Sequence, residues 1–123
     1  MANPAKAKGS AWELAIRKFL RAAGIDAFKA YEEGWADSGD IHGIDPFIGQ
    51  AKAYASIVDG IREGVAGAER QAVVAKRPFG VAIVKRPGKP TGEAYVVMRL
   101  DTFARLLLWL RLPPSGDAET DPR

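Results

Sequence analysis

Three positions in the stretch GDIHGIDPFIGQAKAY, Gly39 to Tyr54, have types and spacing suited to chemistry on a phosphodiester. Asp40 opens an apolar segment directly after a glycine-containing loop, where a carboxylate can project into a cleft. Gln50 and Lys52 follow, two residues apart, and so share one face of an extended strand. Phosphodiester hydrolysis needs charge stabilisation and an activated water, both of which metal ions held by carboxylates supply. A lysine beside such an ion can orient the water or steady the developing negative charge. Glu13, in the first predicted helix, could add a second carboxylate from across the cleft. If the segments carrying Asp40 and Gln50 form a hairpin, Asp40 converges on the Gln50/Lys52 face.

Composition narrows the chemistry. The chain has no cysteine, which excludes disulfides, thiolate zinc sites and cysteine catalysis. A single histidine, His42, excludes a site built on several histidines. Any metal must be held mainly by oxygen, which favours Mg²⁺, with Mn²⁺ as a substitute. The net charge is +3, and the acids Asp117, Glu119 and Asp121 gather in the C-terminal segment, so the remainder is more basic. A basic body suits a polyanionic partner. The polar, Ala- and Lys-rich opening carries no signal-peptide pattern, and the longest apolar run, Leu106 to Leu110, is too short to span a bilayer. The expectation is a soluble, intracellular (cytoplasmic) protein with no membrane partner.

The elements that must position these residues follow from periodicity. With 123 residues, one domain over 10–112 is expected, after a flexible basic arm over 1–9 and before a tail over 113–123 with the composition of a disordered segment. Trp12, Ala15, Ile16, Phe19, Leu20 and Ala23 form one helical stripe opened by Ser10 and closed by Gly24. Ile25–Tyr31 reads as a strand, and Glu32–Gly39 as a loop. Strands are predicted from Asp40 and over Phe47–Tyr54, joined by the turn residues of Gly43–Pro46. Ser56 can cap a helix with Ile57, Ile61, Val65, Ala68 and Ala72 on one stripe, whose glycines permit close packing on a sheet. Phe79–Val84 has the continuous apolar character of a central strand; Ala94–Arg99 returns as another after a hairpin loop. Asp101 or Thr102 caps a last helix with Phe103, Leu106, Leu107 and Leu110 inward. The order α-β-β-β-α-β-β-α predicts an α/β fold: a mixed, twisted central sheet flanked by helices.

With these pieces in order, the sequence resembles the PD-(D/E)XK nuclease superfamily, and more narrowly the archaeal-type Holliday junction resolvases also found in phages. KGSAWE (Lys8–Glu13), GDI (Gly39–Ile41), IGQAK (Ile48–Lys52) and FGVAIVKRPG (Phe79–Gly88) carry the resemblance, which covers residues 6 to 110. It implies a restriction-endonuclease-like fold and a homodimer that cuts paired strands of a four-way DNA junction with Mg²⁺. It also implies Glu13 and Asp40 as metal ligands, Lys52 as the catalytic lysine, and Ser38 in a loop before the aspartate. Gln50 stands where the family usually has Glu, so a third, neutral ligand is expected there and a lower metal affinity with it.

Other roles compete at each position. Ser10-Ala11-Trp12-Glu13 fits a capping box. Asp40 could stabilise a turn, and Lys52 could guard an edge strand. Lys6, Lys8, Lys76, Arg77, Lys85, Arg86 and Lys89 are candidates for DNA phosphate contacts, or solvated ends. Leu108, Trp109 and Leu112 exceed what one inward stripe needs and point to an interface, in agreement with a dimer. Three functions stay open: a metal-dependent endonuclease resolving branched DNA, a nuclease of the same fold acting in repair or restriction, and a catalytically silent DNA-binding dimer.

Overall fold

Phe79–Val84 forms a strand in which every residue is buried, as its unbroken apolar character requires. Around it the computed structural model describes residues 4–29 and 40–112, with the side chains of residues 4–8 and of Asp40 outside the described set. The elements are α1 (Pro4–Ala22), β1 (Asp40–Ile44), β2 (Phe47–Lys52), α2 (Ile57–Ala75), β3 (Phe79–Val84), a 3₁₀ turn (Thr91–Glu93), β4 (Tyr95–Val97) and α3 (Leu100–Arg111). The sheet is open and mixed, in the order β1-β2-β3-β4. β1 and β2 are antiparallel, β2 and β3 parallel through the α2 crossover, and β3 and β4 antiparallel. No helix among the described residues is long and apolar enough to cross a membrane.

The two long helices take opposite faces of the sheet. Trp12 and Ile16 of α1 join Ile41, Val81 and Ile83 in one buried cluster, with Phe47 and Ala51 packed against it. The Trp12 indole N–H donates to the Ile83 carbonyl at 3.1 Å, which ties the helix to the end of β3. α2 lies on the other face. Its contact surface is made of Gly60, Gly64, Gly67, Ala68 and Ala72, all buried. An alanine Cβ at Gly64 would stand 2.8 Å from the Ala82 Cβ, so the bare helix backbone sits directly on the strands. Burial of large side chains such as Ile41, Ile48, Phe79 and Val84 stabilises the fold by about 1.5–3 kcal/mol each.

Several expectations are corrected. The first helix begins at Pro4, inside the segment read as a flexible arm, so Ser10 is a helix-interior residue and cannot cap. Ile25–Tyr31 is not a strand over its described part. Phe28 makes one antiparallel bridge to His42, with backbone bonds of 2.9 and 2.8 Å, and the Ala27 N–H turns back to the Ile25 carbonyl. The chain crosses β1 closely there: a Cβ on Gly43, whose φ is +81°, would lie 2.3 Å from the Asp26 carbonyl oxygen. Among the described residues the sheet accordingly has four strands where five were expected. β4 is trimmed to three residues. α3 begins at Leu100 with Arg99 as its N-cap and no side-chain cap bond, in place of a cap by Asp101 or Thr102. Of the α3 residues expected inward, Phe103 and Leu110 are exposed, and Thr102 is the buried residue of the helix. The loop over Glu32–Gly39 and the tail over 113–123 lie outside the described residues.

Candidate active site

The hairpin of β1 and β2 sets the register on which the site depends. Asp40 pairs with Gln50, and Ile41 with Gly49. The turn between them holds a cis Asp45–Pro46 peptide and the positive-φ Gly43. Because β2 and β3 run parallel with Lys52 opposite Val84, the end of β2 lies beside the end of β3. The Lys85 N–H donates to the Lys52 carbonyl at 2.9 Å and locks the two ends together. Asp40, Gln50, Lys52, Lys85 and Arg86 therefore gather at the carboxyl end of the parallel pair, the edge where open α/β sheets place their ligands.

Glu13 reaches the same end from the other face. Its helix neighbour Trp12 is bonded to Ile83 near the β3 terminus. The Glu13 side chain is buried, and Lys29 Nζ lies 3.1 Å from Oε1. That contact is an ion pair without hydrogen-bond alignment, since Oε1 has no hydrogen-bond partner among the described residues. Arg17 Nη1, one helical turn further along, is buried in the same condition. With Ser10 inside the helix, the capping role for Glu13 falls away.

Gln50 and Lys52 lie beneath α2. Gln50 is 7% exposed, and its Oε1 sits 3.1 Å from where a Cβ on Gly67 would be. Lys52 runs its stem under the helix, its Cγ 3.0 Å from the Cβ position of Gly64. Its ammonium emerges 5.6 Å from the centroid of the Tyr54 ring. The Tyr54 hydroxyl donates to Glu63 Oε1 at 3.0 Å, and this bond, with burial and the Glu63 and Asp59 charges, raises the phenol above its ordinary pKa. Tyr54 and Glu63 were not singled out from sequence. The available signal was the strand alternation that puts Tyr54 on the side of Lys52.

The remaining candidates separate by position. Lys85 stands 5.9 Å from the Trp12 ring centroid, and Arg86 stacks 4.7 Å from the Tyr95 ring and pairs with Glu93 at 3.6 Å. Lys89 is exposed in the loop beyond them. Lys76 and Arg77 sit before the start of β3, roughly 20 Å away for six residues of extended chain. Arg77 there bonds Asp45 at 2.8 Å, and Lys76 closes α2 in the left-handed conformation. Asp45 thus serves an ion pair across the far end of the sheet. His42 stacks on Phe28 with ring centroids 5.5 Å apart. Lys6 and Lys8 fall in the opening turns of α1, where only the backbone is described. Ser38 lies outside the described residues.

Among the described residues, no three His, Asp or Glu side chains stand close enough to hold an ion together. No protein-family model matches the chain, and comparison with curated proteins and with solved structures finds no significant match.

Proposed function

We propose that the chain is a metal-dependent endodeoxyribonuclease of the PD-(D/E)XK type acting on branched, four-way DNA. The observation that carries this reading is the register of the hairpin: Asp40 opposite Gln50, with Lys52 two residues on at the carboxyl end of the parallel strands. It is the arrangement that a carboxylate, a second oxygen ligand and a lysine need in order to meet one phosphate.

The donor set suits Mg²⁺. Asp40 offers a carboxylate and Gln50 a neutral amide oxygen beneath α2, and Glu13 a further carboxylate from the α1 side of the sheet, where it now faces Lys29, all hard ligands. Bound there, the ion would supply charge neutralisation and acidify a water. Lys52 would place its ammonium against the developing negative charge of the phosphoryl group. Lys85, Arg86 and Lys89 would grip the flanking phosphates, which positions the DNA without reading its sequence. Ser38, two residues before Asp40 in the sequence, remains a proposed contributor. The chain would work as a homodimer through α3, whose Leu108, Trp109 and Leu112 are exposed, so that two sites meet paired strands.

A second reading, a DNA-binding dimer without cleavage, is favoured by the burial of Gln50 beneath Gly67. A third, a repair or restriction nuclease, shares the same site. Incubation with Mg²⁺ of a synthetic four-way junction and of a plain duplex separates the three. The resolvase reading expects paired nicks in the junction alone. Equal cutting of the duplex supports the third reading, and binding without cutting supports the second.

A further inference from the structure

We propose that Tyr54 is a positioning residue for Lys52, and that α2 controls the placement of the Lys52 charge through Glu63. The proposal rests on the nuclease reading of Lys52 and adds a residue to it. Lys52 and Tyr54 share one side of the chain as it leaves β2. A Cβ at Gly60 would be 3.8 Å from the Cβ of each, so both stems pass under the same glycine of α2. The lysine stem passes Gly64, whose added Cβ would meet Lys52 Cγ at 3.0 Å. The ammonium stands 5.6 Å from the Tyr54 ring centroid, inside the range in which a cation is held by an aromatic face. The ring is itself fixed, because its hydroxyl donates to Glu63 at 3.0 Å. Glu63 adds negative charge at the hydroxyl end of the ring.

This chain of contacts answers a problem that the sequence creates. With Gln50 in place of an acid, the residue two before Lys52 offers no anion to orient the lysine. A four-carbon stem with a free ammonium would sample many rotamers, and its fixation costs entropy at each turnover. An aromatic surface pinned by the helix holds the charge without neutralising it, which leaves it available for the phosphate.

The test uses the full chain and two readouts. In the free protein, the Lys52 ε-methylene protons should show an upfield ring-current shift by NMR; Tyr54→Phe keeps the shift and Tyr54→Ala abolishes it. In single-turnover cleavage of a four-way junction with Mg²⁺, Tyr54→Ala should slow the step about tenfold while junction affinity stays within about twofold of wild type. Tyr54→Phe and Glu63→Gln should fall between. Absence of the ring-current shift in wild type overturns the proposal, as does a Tyr54→Ala variant that cuts at the wild-type rate. A staple between α2 and β2 with no role in positioning would lower thermal stability in all three variants and leave the rate unchanged, which also overturns it. Failure of wild type to cut any DNA removes the nuclease reading, and the proposal with it. An active wild type with an indifferent Tyr54→Ala removes the proposal alone.

Discussion

Replacement of Gln50 by glutamate puts a charge where the structure has a buried amide, and its cost should depend on magnesium. Gln50 is 7% exposed, with Gly67 of α2 directly against its side-chain oxygen. The substitution keeps the shape and changes the charge. The effective penalty for an ion taken out of water is several kcal/mol, and a residue with some remaining access falls at the low end, about 2–3 kcal/mol. At a urea dependence of about 1–3 kcal/mol per molar, Gln50→Glu in chelator should unfold about 1–2 M earlier than wild type. If the introduced carboxylate joins Asp40 around an ion and tightens Mg²⁺ binding about a hundredfold over wild type, saturating Mg²⁺ returns about 2.7 kcal/mol more to the variant than to wild type, enough to erase the loss. The assay is urea unfolding followed by tryptophan fluorescence, with chelator and with millimolar Mg²⁺. An equal loss in both conditions would refute the placement of position 50 within reach of the metal. No loss in either would refute the desolvation argument itself.

Three further outcomes follow from the geometry. Charge reversal at Lys85 and Arg86 should weaken junction binding and flatten its salt dependence, whereas reversal at Lys76 and Arg77, at the opposite end of β3, should leave the slope unchanged; filter binding across a salt series measures both. Because the Tyr54 phenol is raised by Glu63, the stability from that bond is fully present below the ordinary tyrosine range and is lost as pH rises through the raised value. A tyrosinate absorbance titration should therefore show a late component that moves to lower pH in Glu63→Gln and disappears in Tyr54→Phe. Sedimentation at micromolar concentration should give a dimer that dissociates on Trp109→Glu together with Leu112→Glu; a wild-type monomer at every accessible concentration would rule out paired cutting through α3.

What the sequence disclosed depended on how locally each feature is determined. The apolar run of Phe79–Val84 needed no tertiary information and appears as read, and Gln50 and Lys52 share the face under α2 as alternation requires, in a strand that ends at Lys52 where Tyr54 was expected. The turn residues of Gly43–Pro46 specified a hairpin, but the Asp40–Gln50 register also depends on a shift in the pairing between Ile41 and Ile44, which the sequence did not disclose. The α2 face was legible only by half. Ala68 and Ala72 are buried as expected and Gly60, Gly64 and Gly67 pack closely on the sheet as read, whereas Ile57, Ile61 and Val65 are only half-buried, because a helix laid directly on small strand residues presents its least bulky side. Periodicity weighs hydrophobicity and so undervalues glycine. Ile25–Tyr31 had strand-forming residues at its ends, yet Asp26 passes tightly over Gly43, a contact invisible in one dimension. The site divides in the same way. Asp40, Gln50 and Lys52 are linked by short-range register, while the Glu13–Lys29 pair and the Tyr54–Glu63 bond join separate elements and became visible only with the fold.

The central claim is that the Asp40–Gln50–Lys52 register is a phosphodiesterase site, and the most direct measurement compares wild type with Asp40→Asn on a four-way junction in Mg²⁺. The substitution preserves size and removes one charge. Wild type should nick the junction, and Asp40→Asn should lose cutting while it retains junction affinity. Cutting by Asp40→Asn at the wild-type rate would contradict the claim.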